Sequence, residues 1–199
     1  MAVQLHASPA LASSGCFRHC RAHSADAHWR VQVIAIPADL AKPDGLATLA
    51  AAIIAAEPAV HCLVNNAGAT WGEPLATHPP AAFTKLMTLN VQAVFTLTQQ
   101  LLPLLKAGAS REHPASVINI GSINGIGVSL MDSFSYSASK AAVHQLTRVL
   151  AAKMAEFDIT VNAIAPGPFP TKMTAGVLAA FHDAIIDGVP FKRVGKLSG

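Results

Sequence analysis

Charged side chains are scarce in this chain: Asp, Glu, Lys and Arg make up 13% of 199 residues, against 52% apolar ones, and the formal net charge is +3. So little charge with so much apolar surface to bury excludes a disordered chain. The length suits one domain. No basic run interleaved with aromatics occurs, which argues against a nucleic-acid partner. Long hydrophobic runs are missing too. The longest weakly polar stretch, 46–56, is Ala-rich and closed by Glu57 and Pro58, whereas a membrane span needs about 20 apolar residues. The three cysteines are an odd number, which does not suggest a disulfide framework and fits a reducing, cytoplasmic compartment.

Residues 1–30 stand apart from the rest. They hold four of the nine His, two of the three Cys, three Arg, no Lys, Asp26 as their only acid and Gly15 as their only glycine. On a helix, Cys16, His19, Cys20 and His23 would share one face with zinc-binding chemistry. Structural zinc sites draw ligands from two separated segments, however, and no second pair follows, so no metal is expected. An acid-poor segment with Arg and Ser is also compatible with an organelle transit peptide. A shifted start or an alternative first exon explains the composition equally well.

From Val31 onward short apolar strands alternate with helices. Strands are expected at 31–36, 60–64, 116–120 and 159–164, and helices at 44–56, 82–102 and 137–154, each with apolar residues at helical spacing. Near-continuously apolar strands between helices indicate a Rossmann-like, doubly wound α/β domain whose parallel sheet is covered on both faces.

Tyr136 and Lys140, spaced i, i+4 at the start of a helix, lie on one face. A phenol titrates near ~10, and an adjacent ammonium favours the phenolate, so the pair suits proton exchange with a carbonyl or alcohol. Ser122 follows the strand 116–120 directly, at the carboxyl edge where doubly wound sheets place their sites. A hydroxyl there can bond a substrate oxygen as charge develops on it. Asn90 falls within the apolar stripe of its helix, and periodicity alone favours a structural tie between neighbouring backbone segments over the holding of a water.

The runs Asn65-Asn66-Ala67-Gly68, Asn90, Gly121-Ser122, Tyr136-Ser137-Ala138-Ser139-Lys140 and Pro166-Gly167 resemble, in order and spacing, the classical short-chain dehydrogenase/reductase family over about 165 residues. The resemblance implies an NAD(P)-dependent oxidoreductase. Tyr136 would be the general acid/base, and Lys140 would lower its pKa and bind the nicotinamide ribose. Ser122 would orient the substrate carbonyl, and Asn90 would hold a relay water. Asp39 and Leu40 would border the adenine. Asn66, Ala67 and Gly68 would line the adenosine side, and Phe169 and Thr171 would touch the carboxamide and phosphates.

The family opens with a strand and a Thr-Gly-x-x-x-Gly-x-Gly turn that holds the pyrophosphate at a helix N-terminus. With one glycine, residues 1–30 cannot build it. Gly121 to Gly127 has the right glycine spacing, but no helical stripe follows in 128–135. The chain also stops soon after the segment Phe191 to Gly195, which resembles the one before the family's last helix and strand. Strand candidates are clear only for positions 3 to 6 of the family order 3-2-1-4-5-6-7. The expectation is an atypical segment 1–30 and a truncated domain 31–199, with its central strand absent.

The stretch 64–105 and the runs around Ser122 and Pro166 resemble 3-oxoacyl-(acyl carrier protein) reductases of the rhamnolipid-synthesis type, with gluconate 5-dehydrogenase-like members close by. That implies a small-molecule or acyl-thioester carbonyl substrate and NADP(H) in preference to NAD(H). The loop around Trp71 and Leu130-Met131 would suit an acyl chain, though ordinary packing explains it slightly better. A homo-oligomer is expected, joined by family resemblance through helices at 82–106 and 136–154. The alternative is an inactive fragment that at most associates with full-length relatives.

Overall fold

The computed structural model describes residues 2–7, 15–23, 30–171 and 173–196. Helix α1 (Pro43–Ala56) starts on a proline, whose missing N–H costs nothing in the first turn, and buries Leu46, Leu49, Ala50 and Ile53 at helical spacing. After β4 (Cys62–Asn65), α2 (Pro80–Met87) passes through one π turn (Thr88–Gln92) into α3 (Ala93–Gln100). The expected helix over 82–102 then breaks at Leu101, where the backbone leaves helical angles, and α4 (Leu102–Ala107) restarts on Pro103. Proline lacks the N–H that a continuous helix would need at that position. Strand β5 (Ala115–Ile120), α5 (Phe134–Met154), β6 (Ile159–Ile164) and α6 (Ala175–Gly188) complete the chain, α6 being absent from the sequence-based expectation.

Before α1 come three further strands: β1 (Ala2–Ala7), β2 (Gly15–His23) and β3 (Arg30–Ala38). The six-stranded sheet has the order β3-β2-β1-β4-β5-β6. The central strand is therefore present, contrary to the expectation. Strand β1 pairs parallel with β4, Ala2 facing Cys62 and Gln4 facing Val64. Its apolar/polar alternation, Ala2-Val3-Gln4-Leu5-His6, is a strand pattern. Strand β2 runs antiparallel to both β1 and β3, a pairing that short connections allow, where a parallel neighbour would need a crossover helix. Because 15–23 is an extended strand, the helical face that would have gathered Cys16, His19, Cys20 and His23 does not form. Residues 8–14, where the family's phosphate turn would follow β1, lie outside the described residues.

Burial alternates along the parallel strands. Leu63, Ala115, Val117, Ile159 and Val161 are buried in one cluster with Leu49 and Ile53 of α1, Leu97 of α3, Leu105 of α4 and Met154 of α5, and Asn65 and Asn119 of the same strands are buried too. Their neighbours Cys62, Val64, Ser116, Ile118 and Ile120 are half-buried, and Thr160, Asn162 and Ile164 are exposed. The buried side chains of these strands thus pack against α1, α3, α4 and α5.

Candidate active site

The loops leaving the carboxyl ends of β4, β5 and β6 converge on a cavity of about 690 Å³. Asn66, Gly68, Ala69 and Thr70 line it from β4, Ile120 to Asn124 from β5, Tyr136 and Lys140 from α5, and residues between Pro166 and Thr174 from beyond β6. This is the crevice that an open parallel sheet offers to ligands.

Helix α5 begins at Phe134, so Tyr136 sits in its first turn and Lys140 one turn on. Lys140 is 6% exposed. Its Nζ donates to the Ile120 carbonyl at 2.7 Å and stands 5.8 Å from the centre of the Tyr136 ring. Burial brings its pKa down to about 8. Burial also pushes the Tyr136 phenol above its ordinary value, and a hydrogen bond with the Ser122 side chain opposes that rise without cancelling it. Burial is the larger of the two effects, so the phenol stands above its ordinary value with the Lys140 ammonium beside its ring. Lys140 is turned to a carbonyl and lies over the ring, and desolvation of the phenol dominates.

Ser122 is buried, and its Oγ accepts from the Asn124 N–H at 3.2 Å. The hydroxyl proton is thereby left to donate elsewhere. The glycine-spaced run 121–127 forms one 3-10 turn, Ile123–Gly125, and no helix follows it before α5. It is not a phosphate turn. A β-carbon at Gly125 would stand 2.6 Å from the Lys140 carbonyl carbon, so this glycine lets the loop lie directly on α5.

Asn90 sits in the π turn, 1% exposed. Its Oδ1 accepts from the Ala69 N–H at 2.9 Å; its Nδ2 donates to the Ala69 carbonyl and to Ser139 Oγ, both at 3.0 Å. The amide ties the β4 loop to α5, and both Nδ2 protons are used in doing so. A β-carbon on Gly68 would meet Asn90 Oδ1 at 3.2 Å and Lys140 Nζ at 3.6 Å, placing Gly68 between the two.

Of the residues expected to hold a cofactor, Asn66, Gly68, Tyr136, Lys140, Phe169 and Thr171 line the cavity. Asp39, Leu40 and Ala67 do not. Asp39 accepts from the Ala41 N–H at 3.1 Å and pairs with Lys42 at 3.3 Å, while Leu40 and Ala67 are buried in the core. Met131 lines the cavity; Trp71 does not, and Lys85 lies 5.4 Å above its ring.

Sequence reasoning passed over a buried polar row beneath the site. Asn65 Nδ2 donates to Asn119 Oδ1 at 2.9 Å and to Thr98 Oγ1 at 3.2 Å, and Asn119 Nδ2 donates to Thr147 Oγ1 at 2.9 Å. Asn65 and Asn119 face each other across the β4–β5 ladder, so the row stitches α3 to α5 through the sheet. Amides within apolar strands were the available signal, the same one that drew attention to Asn90. His144 was also missed, although it continues the i, i+4 stripe of Tyr136 and Lys140.

The family model described as short chain dehydrogenase matches residues 13–180. The chain is 49% identical over 140 residues to the rhamnolipids biosynthesis 3-oxoacyl-[acyl-carrier-protein] reductase of Pseudomonas aeruginosa, a match covering 70% of this chain and 55% of that one. The solved Pseudomonas aeruginosa RhlG/NADP active-site complex superposes with a TM-score of 0.76 at 44% identity, covering 80% of this chain and 63% of that one. A gluconate 5-dehydrogenase described as putative, from Beutenbergia cavernae and with bound NADP, superposes with a TM-score of 0.72 at 30% identity, covering 80% and 62%. The chain thus spans between half and two thirds of the length of these relatives. With the family match running through β4, β5, α5 and β6 and the cavity they enclose, this chain belongs to the short chain dehydrogenase family.

Proposed function

We propose that the chain is an NADP(H)-dependent oxidoreductase acting on a carbonyl or hydroxyl carbon, with a 3-oxoacyl thioester as substrate. The observation that carries this reading is the meeting of Ser122, Tyr136 and Lys140 on one cavity wall. The described residues fit the nicotinamide-ribose half of the cofactor: Gly68 leaves its backbone open beside Lys140, where a side chain would crowd Asn90 and the ammonium. Asn66, Phe169 and Thr171 would flank it. Asp39 and Leu40, after β3, lie off this cavity. When bound, the nicotinamide supplies or accepts the hydride.

This chain's own groups handle the oxygen and the proton. Ser122 Oγ and the Tyr136 phenol converge on the substrate oxygen, and Tyr136 passes its proton to that oxygen during reduction. The Lys140 ammonium steadies the phenolate that remains. Ile123, Met131, Phe169 and Met173 give the cavity an apolar wall, which suits an acyl chain. NADP over NAD follows from the NADP-bound relatives, and the acyl thioester from the reductase it resembles. The exposed Phe95 and Val149, on α3 and α5, support a homo-oligomer joined across those helices. No helix among the described residues is long and apolar enough to cross a membrane; the likeness to a bacterial reductase is what supports a cytoplasmic location.

Turnover is read as loss of NADPH absorbance on adding a 3-oxoacyl thioester to the purified chain. We expect saturable oxidation, faster with NADPH than with NADH. Oxidation with neither cofactor on 3-oxoacyl thioesters, in a chain that melts cooperatively, would refute the reading.

A further inference from the structure

Three successive turns of α5 reach the end of β5. Tyr136 meets the Ser122 side chain, Lys140 donates to the Ile120 carbonyl, and His144 lies against the Ser122 peptide. His144 Nε2 is 3.0 Å from the Ser122 carbonyl oxygen and 3.4 Å from its nitrogen. The longer contact has the Ser122 N–H donating to a bare Nε2, and the shorter has a protonated Nε2 donating to the carbonyl; the shorter is the better hydrogen bond, and we take that tautomer. The same carbonyl also accepts from the Gly125 N–H at 3.0 Å. Any β-carbon at Gly121 would collide with the His144 ring; the ring is seated flush on the strand end because that residue is glycine.

Ser122 is thereby held on both sides of its side chain. The backbone is extended, with φ −167° and ψ 153°, and the Oγ accepts from the Asn124 N–H. With the peptide plane pinned by His144 and Gly125 and one Oγ lone pair occupied, the hydroxyl proton is left to turn toward the Tyr136 phenol on the same cavity wall. The Ser122 bond to the phenol favours the phenolate against the effect of burial.

We propose that His144 is a positioning residue: its Nε2–H fixes the Ser122 peptide so that the Ser122 hydroxyl donates to the phenol oxygen of Tyr136. The consequence for turnover rests on the reading of Tyr136 and Ser122 given above; the positioning itself does not. Tyr136 is the single tyrosine of the chain, so its phenolate absorbance reports that bond directly, without cofactor or substrate.

The test compares His144→Phe, which keeps a ring against Gly121 and removes the donor, with His144→Gln, whose amide N–H restores it. A net hydrogen bond is worth about three- to tenfold in an equilibrium or rate. We expect the phenolate titration of His144→Phe to move up by several tenths of a pH unit and kcat to fall about three- to tenfold with KM little changed. His144→Gln should recover most of both. If His144→Phe fails to melt cooperatively, His144→Asn, too short to reach Ser122, replaces it with the same expected shifts. An unmoved phenolate titration in the donor-less variant overturns the proposal, as does a shift that His144→Gln leaves uncorrected. If the wild-type chain shows no turnover, the function reading fails while the titration still decides the role of His144.

Discussion

Replacing Tyr136 by Phe is expected to lower kcat by about 10²- to 10⁴-fold, the range contributed by a positioned proton donor, while leaving NADPH affinity within a few-fold. The substitution removes one oxygen and keeps the ring that lines the cavity and lies beneath Lys140 Nζ. Any loss therefore reports the proton and its bond to Ser122 rather than packing. Burial holds the phenol above its ordinary pKa, so at neutral pH it is protonated and set to act as the acid for carbonyl reduction. Alcohol oxidation needs the opposite protonation state and should accelerate as pH rises through the upper range. Steady-state rates of reduction measure this, with NADPH binding by the same variant as the control. A variant retaining more than a tenth of the wild-type kcat would remove Tyr136 from the chemistry.

Lys140→Met is expected to act in opposite directions on activity and stability. The ammonium is buried with a backbone carbonyl as its hydrogen-bond partner, and no salt bridge to it occurs among the described residues. In the unfolded chain this amine keeps its proton up to the ordinary 10.5, whereas in the folded site it loses it near 8. Between those values the unfolded state binds more protons, so stability rises with pH; below about 8 the full penalty remains. Met fills a similar volume without charge and leaves only the Ile120 carbonyl without its donor. The net gain at pH 7 should be about 1 to 2 kcal/mol, after setting the relieved burial cost against that lost hydrogen bond. Melting curves taken from pH 7 to 10 should show the wild type rising toward the variant, which stays flat. Activity should fall about 100-fold or more, because the phenolate loses its cation. A variant that melts below the wild type at pH 7 would contradict this account of Lys140.

Such a trade between stability and activity marks functional sites, and it explains part of what could be read in advance. The elements with strong local signals were legible: α1 from Leu46, Leu49 and Ile53, α5 from Val143 and Met154, and β5 and β6 from their apolar runs. Tyr136, Lys140, Ser122 and Asn90 were legible because spacing within one or two turns, or adjacency to a strand end, places them. What escaped was set by long-range pairing. The segment 2–7 was not read as a strand, because its place at the sheet centre depends on register with β4 and on antiparallel pairing with β2. Asn119 meets Asn65 only through that same ladder. The direction of Lys140 was not readable either, since i, i+4 spacing places two side chains on one face without saying that the ammonium turns to the Ile120 carbonyl. Pro103, by contrast, was a readable break in the long helix.

The central claim is that this chain forms a nicotinamide dinucleotide site from the loops after β4, β5 and β6. Titrating the purified 199-residue chain with NADPH and with NADH, and following its melting temperature, tests that most directly. A ligand bound only by the folded state adds about 2.7 kcal/mol at one hundred times its Kd. The expected result is a saturable upward shift with NADPH, smaller with NADH and preserved in Tyr136→Phe. A cooperative melt that neither cofactor moves would contradict the claim.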